Sequence, residues 1–326
     1  HNPTLAVGTG PTDLPASLDT PVSPSHVQLV AAPSTDPTLL ALVLDRLTNG
    51  ADIGYHGPST SSHRPNNSSA VQKSIELTSA LQLEITRGHT AGPFPSPPFT
   101  PFRTNPLGAR AKPDGSVRII LDLSQPDGHS VNDHIDREEF SIQYVTMDQA
   151  IAALFEAGPR GALMSKADLK HAFRLIPVRP HQWWLLGFCW QNQYYFDVRL
   201  PFGLRSACAI FNDLASVLRD AVAYHSSSPL VFNYLDDFFF FSPAGSPLCA
   251  AAFNTFLSLC STCGFPVAED KSQPPSTRME LLGCVLDTND LTISLPERKV
   301  QDIVSALRAT RSSRKVGFLG ITLCPQ

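Results

Sequence analysis

The chain has 326 residues, 42% of them apolar and 17% charged, with a formal net charge of -4 at pH 7. That length holds roughly two domains of ordinary size around a packed core, and no apolar run reaches the ~18 residues of a membrane span, so no membrane partner is expected. The mild negative charge excludes a global basic field, so any nucleic-acid partner must be held by local positive tracks.

Two such tracks exist, Arg103, Arg110, Lys112 and Arg118, then Arg298, Lys299, Arg308, Arg311, Arg314 and Lys315, and each reads equally well as a solvated surface. Seven cysteines, an odd number without an evident secretory signal, point to reduced thiols inside the cell, with cytoplasm or nucleus left open. Cys260 and Cys263 lack a second ligand pair at zinc spacing and read as buried helix thiols. The first residue is His1, so a lost targeting segment stays open. The oligomeric state is not legible.

Of the 29 prolines, 16 fall in the first 113 residues, and residues 1–33 read as a flexible lead-in. A helical extension over 34–92 follows. Asp36-Pro37 starts one helix and Gly50 stops it; a second spans about Ser69 to Arg87, with Gly57 to Ser68 as a loop between them. Pro93 to Pro106 is too proline-rich for regular structure. A strand pair is expected around Lys112 to Leu123, turned at Pro113-Asp114-Gly115. A helix runs from about Thr146 to Ala157, a buried strand from Gly161 to Asp168, and a short helical turn from Leu169 to Leu175. Trp183 to Trp190 and Gln193 to Leu200 form a hairpin around Gln191-Asn192. Ser206 caps a helix to about Tyr224, and Pro247 to Cys263 forms another. Strands are expected over Glu280 to Leu286 and Leu291 to Leu295, then an amphipathic helix over 297–315 with Val300, Ile303, Val304 and Leu307 inward. This order suits an α+β fold, an antiparallel sheet backed by helices on one face.

Between the helix that Ser206 caps and the one from Pro247 to Cys263 lies Phe232-Asn233-Tyr234-Leu235-Asp236-Asp237, followed by four phenylalanines, Phe238 to Phe241. The bland reading of Asp236-Asp237 is a polar hairpin turn. The pair sits, however, between aromatic strands, and a third acid, Asp168, ends an earlier strand that would neighbour it in one sheet. Three clustered carboxylates repel unless cations lie between them. Oxygen-only ligands favour magnesium, and two such ions about 4 Å apart suit in-line phosphoryl or nucleotidyl transfer.

The segments Lys112 to Arg118, Lys166-Ala167-Asp168-Leu169-Lys170-His171-Ala172-Phe173, Leu200-Pro201-Phe202-Gly203-Leu204-Arg205-Ser206, Tyr234-Leu235-Asp236-Asp237 and Leu281-Leu282-Gly283 stand in the order of reverse transcriptase motifs. With Trp183-Trp184-Leu185-Leu186-Gly187 and Gln193-Tyr194-Tyr195-Phe196-Asp197, the chain most resembles the polymerases of DIRS-type retrotransposons, elements that integrate with a tyrosine recombinase. The likeness covers about residues 100 to 300, and more weakly back to about 35.

The resemblance implies a right-hand polymerase with a ferredoxin-like palm: fingers over 93–160, palm over 161–296 with a fingers insertion around 176–200, and the start of a truncated thumb over 297–326. It implies RNA-directed DNA polymerisation on an RNA or DNA template with primer, from deoxynucleoside triphosphates. Two magnesium ions, with manganese as a substitute, would sit on Asp168 and Asp236, supported by Asp237. Lys112 and Arg118 would meet the triphosphate. Phe173 would collide with a ribose 2′-hydroxyl. Phe202-Gly203 would precede the helix under the template, Lys271 would protonate the leaving pyrophosphate, and Leu281, Leu282 and Gly283 would grip the primer. Lys112-Pro113 departs from the paired lysines of the family, and the segment 317–325 does not continue a thumb. The alternative is a catalytically inactive remnant that at most binds nucleic acid.

Overall fold

Serine or aspartate followed by proline starts the first two helices. The computed structural model describes residues 18–112 and 114–312, without the side chains of 310–312, so expectations for 1–17, Pro113 and 313–326 lie outside the described residues. Helix α1 (Pro24–Val30) is capped by the Ser23 hydroxyl, which accepts from the amide of His26, and α2 (Pro37–Asn49) by the Asp36 carboxylate, which accepts from Thr38. The second cap was expected. The first corrects the lead-in: Ser23-Pro24 carries the same signature, and Val27 is buried.

The helix expected over 69–87 is broken at Lys73 into α3 (Ser68–Gln72) and α4 (Ser74–Thr86). The loop before it contains β1 (Ser62–His63). Proline did not exclude strands over 93–106: β2 (Thr90–Phe94) and β3 (Arg103–Asn105) lie there, with β2 at a sheet edge where a proline amide is not missed. The hairpin β4 (Leu107–Ala111) and β5 (Val117–Leu121) begins earlier than expected, with the Lys112 amide donating to the Ser116 carbonyl at 2.8 Å where it turns. Thr146 and Gln149 form a capping box on α5 (Met147–Glu156).

Next come β6 (Leu163–Asp168), β7 (Gly187–Trp190) and β8 (Gln193–Asp197). Trp183 to Leu185 belong to a 3-10 turn opened by Pro180, not to the strand expected there. Helix α6 (Ala207–Ser226) follows Ser206, but the Ser206 hydroxyl makes no capping bond and is buried without a partner. The remainder comprises β9 (Val231–Tyr234), β10 (Asp237–Ser242), α7 (Leu248–Cys263), β11 (Gln273–Ser276), β12 (Arg278–Leu281), β13 (Cys284–Asp287), β14 (Thr292–Ser294) and α8 (Glu297–Ser312). The strand expected over 280–286 is thus a hairpin, because Leu282 and Gly283 adopt φ of 46° and 78° and turn the chain.

Two sheets position the site. The antiparallel sheet β11-β6-β10-β9 forms its floor, and β1-β3-β7-β8-β2 stands beside it. Alternation along β10 sends Phe238 and Phe240 into the main core, where both meet Phe256 of α7, and Phe239 and Phe241 into a second core with Ala153 and Leu154 of α5 and with Met279, Leu281 and Leu286. Each such ring contributes about 2–3 kcal/mol on burial. Helices α6 and α7 back the sheet as expected, and α5 with the β12–β13 hairpin covers part of the other face. Cys260 and Cys263 are buried free thiols on α7. No helix among the described residues is long and apolar enough to cross a membrane.

Helix α8 departs from expectation. Val300, Ile303, Val304 and Leu307 are exposed, Leu307 at 60%, whereas Arg298 pairs with the Glu280 carboxylate and Lys299 Nζ donates to the Gly283 carbonyl at 3.1 Å. Ion pairing, rather than apolar contact, seats its first turn on the hairpin.

Candidate active site

Two aromatic strands joined by a two-residue turn create the centre of the site. Tyr234 pairs with Asp237 across β9 and β10, leaving Leu235 and Asp236 as the turn. Leu235 takes a φ of 53°, a left-handed conformation costing a leucine about 1 kcal/mol. The turn is held because the Asp236 carbonyl accepts from the Leu169 amide at 3.0 Å. On the other side of β10, Asp237 stands directly opposite Asp168, the last residue of β6. Residues 68 positions apart in the chain, Asp168 and Asp236, thereby become neighbours of one another and of Asp237.

Electrostatics follow from that crowding. Burial, then the charge of Asp168, pushes the Asp236 carboxyl up to about 6. Burial, then Asp236 and Asp168, pushes Asp237 up to about 7. Lys271 Nζ lies 3.2 Å from both carboxylate oxygens of Asp168. Burial alone would lower this ammonium, but the Asp168 charge and hydrogen bond outweigh it and raise it. Among the described residues no three acid, His or Cys side chains are gathered around one point as a finished metal cage. The donors are nevertheless hard oxygens whose mutual repulsion Lys271 and Arg118 relieve only in part, a set that fits a divalent cation of the magnesium type.

Arg118 projects from β5 with its guanidinium 4.6 Å over the Phe202 ring, and its positive charge helps lower the Asp236 carboxyl against burial. Phe202 meets Phe173 at 5.3 Å, and Phe173 meets Phe211 of α6 at 5.8 Å. Arg118, Phe202 and Phe173 therefore form one contiguous row, whose Arg118 end is felt by Asp236. Lys112 lies instead at the exposed hairpin tip near Asp114. Arg103, read as part of a surface track, is buried, donating to the carbonyls of Thr60 and His129.

Gly203 has a φ of 110°, and any Cβ there would collide with the Leu121 carbonyl, whose own amide donates to Phe202 at 3.0 Å. Asn132, which nothing in the sequence marked, locks this loop: its amide donates to the Gly203 carbonyl at 2.8 Å and its side-chain oxygen accepts from the Arg205 amide at 2.8 Å. Tyr144, also unmarked, stacks on Tyr234 at 4.8 Å.

Leu281 is buried and Leu282 half-buried on the second core, and Gly283 presents its carbonyl to Lys299. Apolar packing against β6 permits sliding; a directional bond does not. Lys166, two residues before Asp168 on the same strand face, supplies one by donating to the Glu280 carbonyl at 3.0 Å. Such a bond from a half-buried lysine contributes about 1 kcal/mol. Lys166→Met is expected to speed amide hydrogen exchange across 278–287 about fivefold, with Lys166→Arg restoring protection; unchanged exchange would show the bond to be idle.

Comparison with known proteins adds four likenesses. Residues 111–323 match the family model described as "Reverse transcriptase (RNA-dependent DNA polymerase)". Over 180 residues, 55% of this chain, it is 26% identical to the genome polyprotein of Petunia vein clearing virus (isolate Shepherd), of which the match covers 7%. The foamy viral protease-reverse transcriptase in complex with RNA/DNA hybrid aligns with a TM-score of 0.57 at 17% identity, over 79% of this chain and 33% of that one. The native prototype foamy virus protein gives 0.54 at 21% identity, over 79% and 33%. This chain spans less than half the length of each. The structural likeness is one of fold, a mixed α+β arrangement with palm and fingers.

Proposed function

Since the chain belongs to the reverse transcriptase (RNA-dependent DNA polymerase) family, we propose that it adds deoxynucleotides to a primer 3′-hydroxyl on an RNA or DNA template, releasing pyrophosphate. The observation that carries this reading is Asp168 facing Asp237 across paired strands, with Asp236 at the adjoining turn. Asp168 and Asp236, supported by Asp237, would hold two magnesium ions, or manganese in their place, which supply charge neutralisation at the attacking and leaving oxygens.

The remaining roles belong to side chains. Arg118 offers a fork of donors to the triphosphate, with Lys112 reaching from the mobile length of its stem. Lys271, kept protonated by its acidic neighbours, gives its proton to the departing pyrophosphate oxygen. Phe173 closes the space a ribose 2′-hydroxyl needs. Phe202 and Gly203 shape the loop under the new pair, and Leu281, Leu282 and Gly283 position the primer end. We assign 34–92 to an extension, 93–160 with 176–200 to fingers, 161–296 to palm and 297–326 to the start of a thumb. The wording of the motifs supports a DIRS-type retrotransposon source, and the six described cysteines, all free, fit a reducing compartment.

Extension of a labelled primer on an RNA template tests the reading; template binding without extension would favour the inactive remnant. Phe173→Val is expected to raise ribonucleotide incorporation about 10–100-fold relative to deoxynucleotides. Equal selectivity in both proteins would remove the sugar-gate role.

A further inference from the structure

Immediately behind Phe173 lies a buried charge cluster that the proposed chemistry does not use. Arg174 is 6% exposed. Its Nη1 donates to Asp197 Oδ2 at 2.8 Å and its Nε lies 3.0 Å from Glu84 Oε2, so the guanidinium is fixed in position and in plane by two carboxylates. Each carboxylate is anchored in turn. Asp197, at the end of β8, accepts from the Thr90 hydroxyl of β2 at 2.5 Å, and Glu84, near the end of α4, stands 3.1 Å from His89 Nδ1. Burial works against the charge on Glu84, but the bond to His89 and the charge of Arg174 hold its carboxyl down at about 2.

Phe173 itself rides on a 3-10 turn of only four residues, Ala172–Leu175, preceded by His171 at a φ of 61° and lacking a side-chain cap. A turn so short does not define its own place. Its next residue is clamped by the cluster, its Leu175 carbonyl accepts from the Thr20 hydroxyl at 2.6 Å, and the Phe173 ring is bracketed by Phe202 and Phe211. Replacing a buried ion network by apolar residues is often neutral for stability, whereas its directional bonds fix geometry.

We propose that Glu84, Arg174 and Asp197 are positioning residues for sugar selection: they set the height of the Phe173 ring from behind, so the segment 84–90, outside the polymerase motifs, acts on nucleotide selection without lining the pocket. This rests on the reading of Phe173 as the sugar gate.

The test is the ratio of kcat/KM for dCTP over CTP in primer extension by the full chain, measured for wild type, Glu84→Gln, Phe173→Val and the double variant. Glu84→Gln keeps the shape and removes the charge; it is expected to lower the ratio about 5–10-fold while kcat for dCTP changes less than about threefold, and the double variant should match Phe173→Val alone, since both act through one ring. Thr90→Val, which loosens Asp197 without removing a charge, should give a smaller fall of about twofold and serves if Glu84→Gln fails to fold. A wild-type ratio in both Glu84→Gln and Thr90→Val, with the ratio collapsed in Phe173→Val, would overturn the inference. So would an additive double variant. No change in Phe173→Val would instead remove the gate reading, and absence of wild-type extension would remove the polymerase reading, each taking the inference with it.

Discussion

Asp236→Ala is expected to abolish primer extension, with a loss of about 10³-fold or more in single-turnover rate. The expectation follows from where the side chain sits. Asp236 occupies the tip of a two-residue turn whose backbone is tied to Leu169, beside Asp168 and Asp237, so no other oxygen can take its place without rebuilding the turn. Although pushed up to about 6, its carboxyl is ionised at pH 8 and available to a cation. Loss of fold would not account for inactivity, because removing one of several repelling carboxylates relieves strain. Binding of primer-template should persist, since the change only reduces negative charge near phosphate. Extension falling less than tenfold would mean that the turn is a polar hairpin tip and that chemistry lies elsewhere.

What the sequence revealed and what it hid divide along physical lines. Asp168, Asp236 and Asp237 were legible because strands with a period of two and an unmistakable aromatic run carry them. Helix starts at Asp36-Pro37 and Thr146 were legible because caps are local chemistry. Proline was over-read: at a sheet edge it costs little, and after a capping serine it begins a helix, so strands at 90–94 and 103–105 and helix α1 were missed. The inward face of α8 was assigned from apolar spacing, yet Arg298 and Lys299 find specific acceptors on the hairpin and turn that face outward. Arg174 and Arg103 were illegible for another reason. An arginine buried by partners distant in sequence, such as Glu84 or the carbonyl of His129, has no local signature to separate it from a surface cation.

Asp237→Asn is expected to stabilise the protein at pH 8 in the presence of a chelator. Asp236 and Asp237 are raised from 3.8 to about 6 and about 7. The folded chain therefore holds protons that the unfolded chain has released between about pH 4 and pH 7, and stability contributed by these groups is present below 3.8 and lost as pH rises through that window. One unit is 1.36 kcal/mol, so the rise of Asp237 from 3.8 to about 7, discounted for solvent screening, costs on the order of 3 kcal/mol at neutral pH. Asparagine resembles the protonated acid at every pH. The variant should therefore exceed wild type by no more than about 1 kcal/mol at pH 4.5, whereas at pH 8 it should be more stable by about 2–3 kcal/mol. Glu84, held down at about 2, titrates below this window and is common to both. Magnesium should restore stability to wild type at pH 8 more than to Asp237→Asn, because a cation replaces the lost protons only where both carboxylates remain. A variant less stable than wild type at pH 8 would show that Asp237 is satisfied by its surroundings, and the case for a cation site built on mutual repulsion would fall with it.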